Sequence, residues 1–169
     1  METMVAIRSR RSIRVFKEDE VEKDKILTLV EAGMYAPTAC DQQEWQFIVL
    51  DDRQVLDAIP MFHPYSQMLH QAPLAIVVCA DRRLETLEGY WVQDCAAATQ
   101  NILLAARDVG LGSCWLAIYP EEDRVQKMRE LLQLPAEVTP FNVIAVGYAD
   151  EEKEPVQRYK PERVHWNKW

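Results

Sequence analysis

The stretch "YWVQDCAAATQNILLAARDVGLG", residues 90–112, decides how the rest of the chain is read. It is too long for a strand and contains no proline, so it reads as a helix. Ala96, Ala97 and Ala98 stand beside Ile102, Leu103, Leu104, Ala105, Ala106 and Val109. A helix apolar on nearly every face must be covered on nearly every face. The alanine run lets another backbone come close. The expectation is a central helix with one side against a second subunit.

Working outward, strand-like runs lie on both sides of this helix. "LAIVVCAD" (74–81) has the unbroken apolar character of a central strand, and "WQFIVLDD" (45–52) is β-branched and aromatic. "SCWLAIY" (113–119) and "PFNVIAVGYAD" (140–150) read as two further strands. "METMVAIRSRRS" (1–12) predicts a short helix, with Met4, Val5 and Ile7 available to a core. "DKILTLVEAGMYA" (24–36) places Ile26, Leu27, Leu29, Val30 and Met34 at helical spacing, closed by Gly33 and Pro37. "DRQVLDAI" (52–59) and "SQMLHQA" (66–72) predict short helices before Pro60 and Pro73. "PEEDRVQKMRELL" (120–132) has an acidic first turn suited to a helix dipole, with Val125, Met128, Leu131 and Leu132 inward.

With 169 residues and no internal repeat or flexible linker, the chain reads as one domain spanning 1–169. Its 27 acidic residues against 19 Lys plus Arg give a charge of −8, which argues against nucleic-acid and anionic-membrane partners. No two of Cys40, Cys79, Cys95 and Cys114 stand closer than 16 residues, so there is no CxxC. Reduced, mostly buried thiols are the expectation. His63, His70 and His165 are too scattered for a zinc site. The N-terminus lacks the apolar core of a signal peptide, and the cytoplasm is the expected location. The tail, 150–169, is charged yet carries Tyr159, Val164, Trp166 and Trp169. It reads either as an arm laid on another surface or as an end packed on its own domain.

Near the start, "RSRRSIRVF" (8–16) packs Arg8, Arg10, Arg11 and Arg14 into nine positions of an acidic protein. Arginine presents planar paired donors that match phosphate oxygens, and Ser12 adds a hydroxyl. A solvated helix end is the plain alternative. No GxxxxGK[ST] or GxGxxG loop is present, so side chains would have to hold any bound anion.

Four blocks, in order, resemble the FMN-dependent nitroreductase family in its shorter form. They are "RRSIRVF" (10–16), "APTACDQQEWQFIVL" (36–50), "DCAAATQNILLAARDVGLGSCWL" (94–116) and "VGYADEEKEPVQRYKPERVHWNKW" (146–169). The resemblance implies an α+β fold with a mostly antiparallel sheet flanked by helices on both sides. It implies an intertwined homodimer, with the C-terminal arm (150–169) on the partner and FMN at the interface. By the same resemblance Arg10, Arg11 and Ser12 would hold phosphate and ribityl chain, with Arg158 also on the phosphate. Arg14 would sit nearer the ring's N1–C2=O edge, where a cation favours reduction. Pro37, Thr38, Ala39 and Asp41 match the block laid against the partner's flavin. Trp115, Leu116 and Ala117 match the strand passing the ring, and Gln67 would reach its pyrimidine edge.

Three positions depart from the family pattern: Asp41 stands for Asn, Glu44 for Pro, and Ala39 for a second Ser. Ionised Asp only accepts hydrogen bonds, so Asp41 either opposes an anionic reduced flavin or turns outward as a cap. The implied activity is hydride transfer from NAD(P)H to a nitroaromatic, quinone or similar acceptor by ping-pong turnover. No side chain is named as catalytic acid, base or nucleophile, and no metal site is expected. A non-catalytic FMN-binding, redox-sensing or flavin-storage protein is the alternative. Cys40 and Cys114 lie near the implied ring site, with packing their simpler role. Of the tryptophans, Trp45 reads as core, and Trp91 as the residue placed to touch substrate.

Overall fold

Nine regular elements follow one another in the computed structural model, which describes residues 1–169. They are α1 (Thr3–Ser9), α2 (Lys23–Met34), β1 (Trp45–Leu50), α3 (Arg53–Ala58), β2 (Leu74–Asp81), α4 (Trp91–Asp108), β3 (Gly112–Ala117), α5 (Glu122–Leu132) and β4 (Val138–Gly147). The four strands form one antiparallel sheet in the order β1-β2-β4-β3. The fold is α+β, as the sequence implies.

Every residue of β2 is buried, because both faces of the sheet are covered. Ala75, Val77 and Cys79 join Val143 and Ala145 in one core, closed by Leu56 of α3, Met128 of α5, and Ile59 and Leu69 from single helical turns. Leu74, Ile76, Val78 and Ala80 join Ile144 and Val146 in the other, closed by Leu29 of α2 and by Cys95, Ala98, Ile102 and Ala106 of α4. This is the period-2 alternation of a strand with helices on both sides, and each large aliphatic side chain so buried stabilises the fold by about 1.5–3 kcal/mol. The ladder slips between Val78 and Cys79, whose partners are Asn142 and Pro140. Phe141 is the extra residue of this bulge. It joins the α4 core, with its ring 6.1 Å from Trp91 and 5.6 Å from Trp115.

Gly33 does not end α2, which runs on to Met34 and is capped at Tyr35. A Cβ at Gly33 would come within 2.9 Å of Phe47 and 3.1 Å of Ile102, so glycine is needed where α2, β1 and α4 meet. In α1 only Ala6 is buried. Met4, Val5 and Ile7 are exposed, as are Leu27 and Met34 of α2. These side chains therefore do not enter this chain's own core. On α4, Ala96, Ala97, Leu104 and Ala105 are half-buried, so the helix is not covered on every side. The tail does not pack on its own domain either. Residues 152–169 are exposed throughout, with Trp166 at 84%.

The chain's two ends meet at the free side of β3. Ile13 N donates to Ser113 O at 3.0 Å, Ser12 pairs with Ser113, and Phe16 pairs with Ala149. The approach is close: a Cβ on Gly112 would fall 2.9 Å from Ile13. This pairing sets residues 8–16 beside the segment that follows β4.

Candidate functional site

Arg14 N donates to Glu151 Oε1 at 2.6 Å, and Arg11 Nε donates to Glu154 O at 3.2 Å. These bonds hold the N-terminal segment against the start of the tail. Arg8, Arg10, Arg11 and Arg158 consequently line one cavity of about 580 Å³, with Ile7, Pro155, Val156 and Tyr159 supplying apolar wall. No carboxylate lines it, and none of the four guanidinium groups is in a salt bridge. Burial, and then the charges of Arg158 and Arg11, lower the pKa of Arg10. Like charges gathered without a counter-ion are a standing electrostatic cost, which a bound anion removes. Ser12 is half-buried beside them, held by its pairing with Ser113.

A second cavity, of about 470 Å³, opens along β3. It gathers Arg14, Gln67, Trp115, Leu116 and Ala117, and adds His63, Tyr65 and Arg124, which the sequence did not single out. His63 is buried. Its Nε2 lies 2.9 Å from Ala117 O, and its Nδ1 accepts from Tyr65 N at 3.3 Å. Both contacts are satisfied together only by the neutral ring protonated at Nε2. Burial lowers the His63 pKa, favouring that form. Arg124 Nη1 donates to the same Ala117 carbonyl at 3.2 Å, and its guanidinium lies 5.8 Å from the centre of the Tyr65 ring. Cys114 also lines this cavity, but burial raises its thiol pKa and keeps it protonated.

Pro37, Thr38, Ala39 and Asp41 line neither cavity. They form the loop between α2 and β1, where Cys40, Asp41 and Gln43 adopt left-handed backbone (φ 50°, 52° and 48°). Two bonds pin the loop: Ala39 N to Asp94 Oδ2 at 2.9 Å, and Gln43 N to Thr38 Oγ1 at 3.1 Å. Asp41 is exposed and accepts from Gln43 Nε2 at 2.7 Å. Cys40, unlike the other three cysteines, is exposed.

Beneath the loop lies a polar cluster that the sequence did not announce. Glu44 is fully buried, and Asp94 and Gln42 are nearly so. Gln42 Nε2 donates to Glu44 Oε1 at 2.9 Å and to Asp94 Oδ2 at 3.3 Å. Gln42 Oε1 accepts from Thr86 N and Leu87 N. Glu44 Oε2 has no partner. Burial raises the Glu44 pKa, and the adjoining Asp94 adds to the effect. Two carboxyl groups sharing a dry site do not both ionise.

Trp91 corrects an expectation. It is 3% exposed, packed between Tyr119 and Phe141 with Arg82 over its ring, so it is a core residue without access to substrate. Trp45 is buried as expected. His63 and Arg124 left no sequence signal, because each matters through the Ala117 carbonyl, 54 positions from His63 and 7 from Arg124, and no local pattern announces either contact.

Residues 7–62 and 60–148 match the Nitroreductase family. A protein of Methanothermobacter thermautotrophicus, provisionally named an NADH dehydrogenase/NAD(P)H nitroreductase, is 46% identical across the whole chain and 88% of its own length. The crystal structure of a similarly named protein from Parabacteroides distasonis superposes with a TM-score of 0.95 at 42% identity, covering 99% of this chain and 98% of that one. An FMN-dependent nitroreductase of Clostridium difficile superposes with a TM-score of 0.91 at 32% identity, covering 98% and 99%. A full-length sequence likeness of this strength, joined to the same fold, establishes that the chain belongs to the nitroreductase family.

Proposed function

We propose that this chain is an FMN-dependent oxidoreductase that moves hydride from NAD(P)H to a nitroaromatic, quinone or similar acceptor by ping-pong turnover. One observation carries the reading: guanidinium groups from both ends of the chain line a single cavity that contains no carboxylate. That donor set fits a flavin mononucleotide phosphate. The cavity along β3, with Tyr65 as an aromatic wall and Arg14 as a cation, fits a flat ring whose reduced form is anionic.

Arg10, Arg11 and Arg158 would hold the phosphate, and Ser12 the chain next to it. Gln67 and the backbone of Trp115–Ala117 would orient the ring. Arg14 would favour its reduction by Coulombic attraction. When bound, FMN supplies a two-electron carrier, so that NAD(P)H, H⁺ and a quinone become NAD(P)⁺ and a hydroquinone. His63, neutral and fixed to Ala117 O, would shape the ring pocket rather than carry protons.

We further infer a homodimer. Met4, Val5 and Ile7 of α1, Leu27 and Met34 of α2, and the arm's Trp166 and Trp169 are apolar groups that this chain leaves exposed. A second copy would cover them and would bring Pro37, Thr38, Ala39 and Asp41 to the partner's flavin.

The test is the visible spectrum of the purified protein, followed by anaerobic addition of NADH or NADPH. A yellow protein that bleaches supports the reading. Persistent yellow leaves a flavin-binding protein without turnover, and a colourless protein that takes up no FMN removes the cofactor assignment.

A further inference from the structure

We propose that Arg124, with the ring of Tyr65 beneath it, forms an oxyanion subsite that selects aromatic acceptors bearing a carboxylate or sulfonate. The inference rests on the oxidoreductase reading above and names the substrate class of that site.

The cavity along β3 belongs to a chain of charge −8, yet no carboxylate lines it. Besides the Tyr65 phenol, its titratable lining is Arg14, Arg124, His63 and Cys114. Burial favours the neutral forms of His63 and Cys114, which leaves two guanidinium groups as the local charge. Arg14 is already spoken for as the cation beside the flavin ring. Arg124 is surplus to that role.

Acidic residues favour the first turn of a helix, where they can pair with a nearby cation. Here Asp123 pairs with Lys127, and Arg124 is in no salt bridge, although Glu121 and Glu122 precede it. Its hydrogen bond within the chain is to Ala117 O, which occupies one of five N–H donors. Tyr65 is 72% exposed and supports the guanidinium from below at 5.8 Å. This contact fixes the cation while leaving donors free for a bidentate anion.

Tyr65 gives the same cavity an exposed aromatic surface, while the Trp115 ring packs on Phe141 in the α4 core. A flat acceptor with an acidic substituent therefore meets ring and charge together. The extra phosphate of NADPH is a poorer candidate for this position. It sits on the adenosine half of that molecule, remote from the nicotinamide that must reach the same space.

The experiment compares 4-nitrobenzoate with nitrobenzene on the holoenzyme, in wild type, Arg124→Gln and Arg124→Lys. Binding of 4-nitrobenzoate to the oxidised protein is read from the flavin difference spectrum, and the kcat/KM ratio of the two acceptors from NAD(P)H oxidation. Loss of a charge-assisted pair weakens binding by roughly tenfold or more. Arg124→Gln is expected to raise the Kd for 4-nitrobenzoate and lower the ratio by about that factor, and Arg124→Lys to recover most of the ratio. An equal loss for both acceptors, accompanied by a shift in the flavin's midpoint potential, would overturn the proposal in favour of a role on the flavin. A change confined to NADPH relative to NADH would overturn it in favour of the nucleotide phosphate. A wild-type protein that takes up no FMN or fails to bleach sinks the oxidoreductase reading. One that turns over both acceptors with no preference for the anion sinks this proposal alone.

Discussion

Two clusters of like charge occupy this molecule, and they resolve the same electrostatic problem in opposite ways. Arg8, Arg10, Arg11 and Arg158 line an open cavity without a counter-ion. Glu44 and Asp94 are shut in the interior with one amide, Gln42 Nε2, donating to both. A guanidinium does not give up its proton near neutral pH, so the first cluster stays charged and needs an external anion. A carboxylate can take a proton, so the buried pair lowers its charge instead. The difference separates the cluster proposed to bind a ligand from the one that holds the scaffold.

The comparison breaks most visibly at Arg10. Arg10→Ala is expected to weaken FMN binding by about a hundredfold, the scale of a lost charge-assisted phosphate contact, without lowering the melting temperature of the flavin-free protein. Fluorescence titration with FMN and a thermal melt check the two halves, and unchanged FMN affinity would remove Arg10 from the phosphate site. Asp94→Leu makes the opposite change. It leaves Ala39 N and part of the Gln42 amide without an acceptor, and should destabilise the fold by about 2 kcal/mol, the cost of stranding buried donors. Denaturant unfolding measures it, and a neutral result would mean that the loop is not held from below.

A subtler distinction comes from pH. The folded-state pKa of Glu44 lies above its ordinary value of 4.5, so above that value the folded protein keeps a proton that the unfolded chain has released. Its contribution to stability is complete below pH 4.5 and is lost as pH rises through the folded pKa. Glu44→Gln should remove this part of the pH dependence and stabilise the protein relative to wild type on the alkaline side. Parallel slopes for the two proteins would show that Glu44 is already ionised. The smallest effect is expected at Asp41, a carboxylate outside both clusters. In the proposed dimer, Asp41→Asn should raise the flavin's reduction potential by removing negative charge from the loop laid against the partner's flavin, and spectroelectrochemistry giving equal potentials would dismiss it.

Much of the fold is legible in the residues because its strands are short apolar runs and its long helix is mostly apolar and free of proline. Leu74–Asp81 and Trp91–Asp108 fall within or on the runs that announce them. What escapes is everything that depends on a distant neighbour. Gly33 looks like a stop signal until Phe47 and Ile102 are seen against it. Trp91 looks like a site residue until Tyr119, Phe141 and Arg82 enclose it. Glu44 and Asp94 are fifty positions apart and belong to separate elements. The arginines of 8–14 were conspicuous as a local run, but their juxtaposition with Arg158 rested on the family resemblance. Arg124 was one charge among many on an amphipathic helix, and only its contacts with Ala117 O and the Tyr65 ring set it apart.

The pairing of Ser12 with Ser113 and of Phe16 with Ala149 also bears on the order of assembly. A segment made first finds its partners only in β3 and in the stretch after β4, so the closure entropy of a long loop stands between synthesis and completion. On the ribosome the arginine-lined cavity cannot take shape until translation has passed Arg158. A truncated product, however well its inner strands collapse, would emerge with an open sheet edge and without the cavity proposed for the flavin.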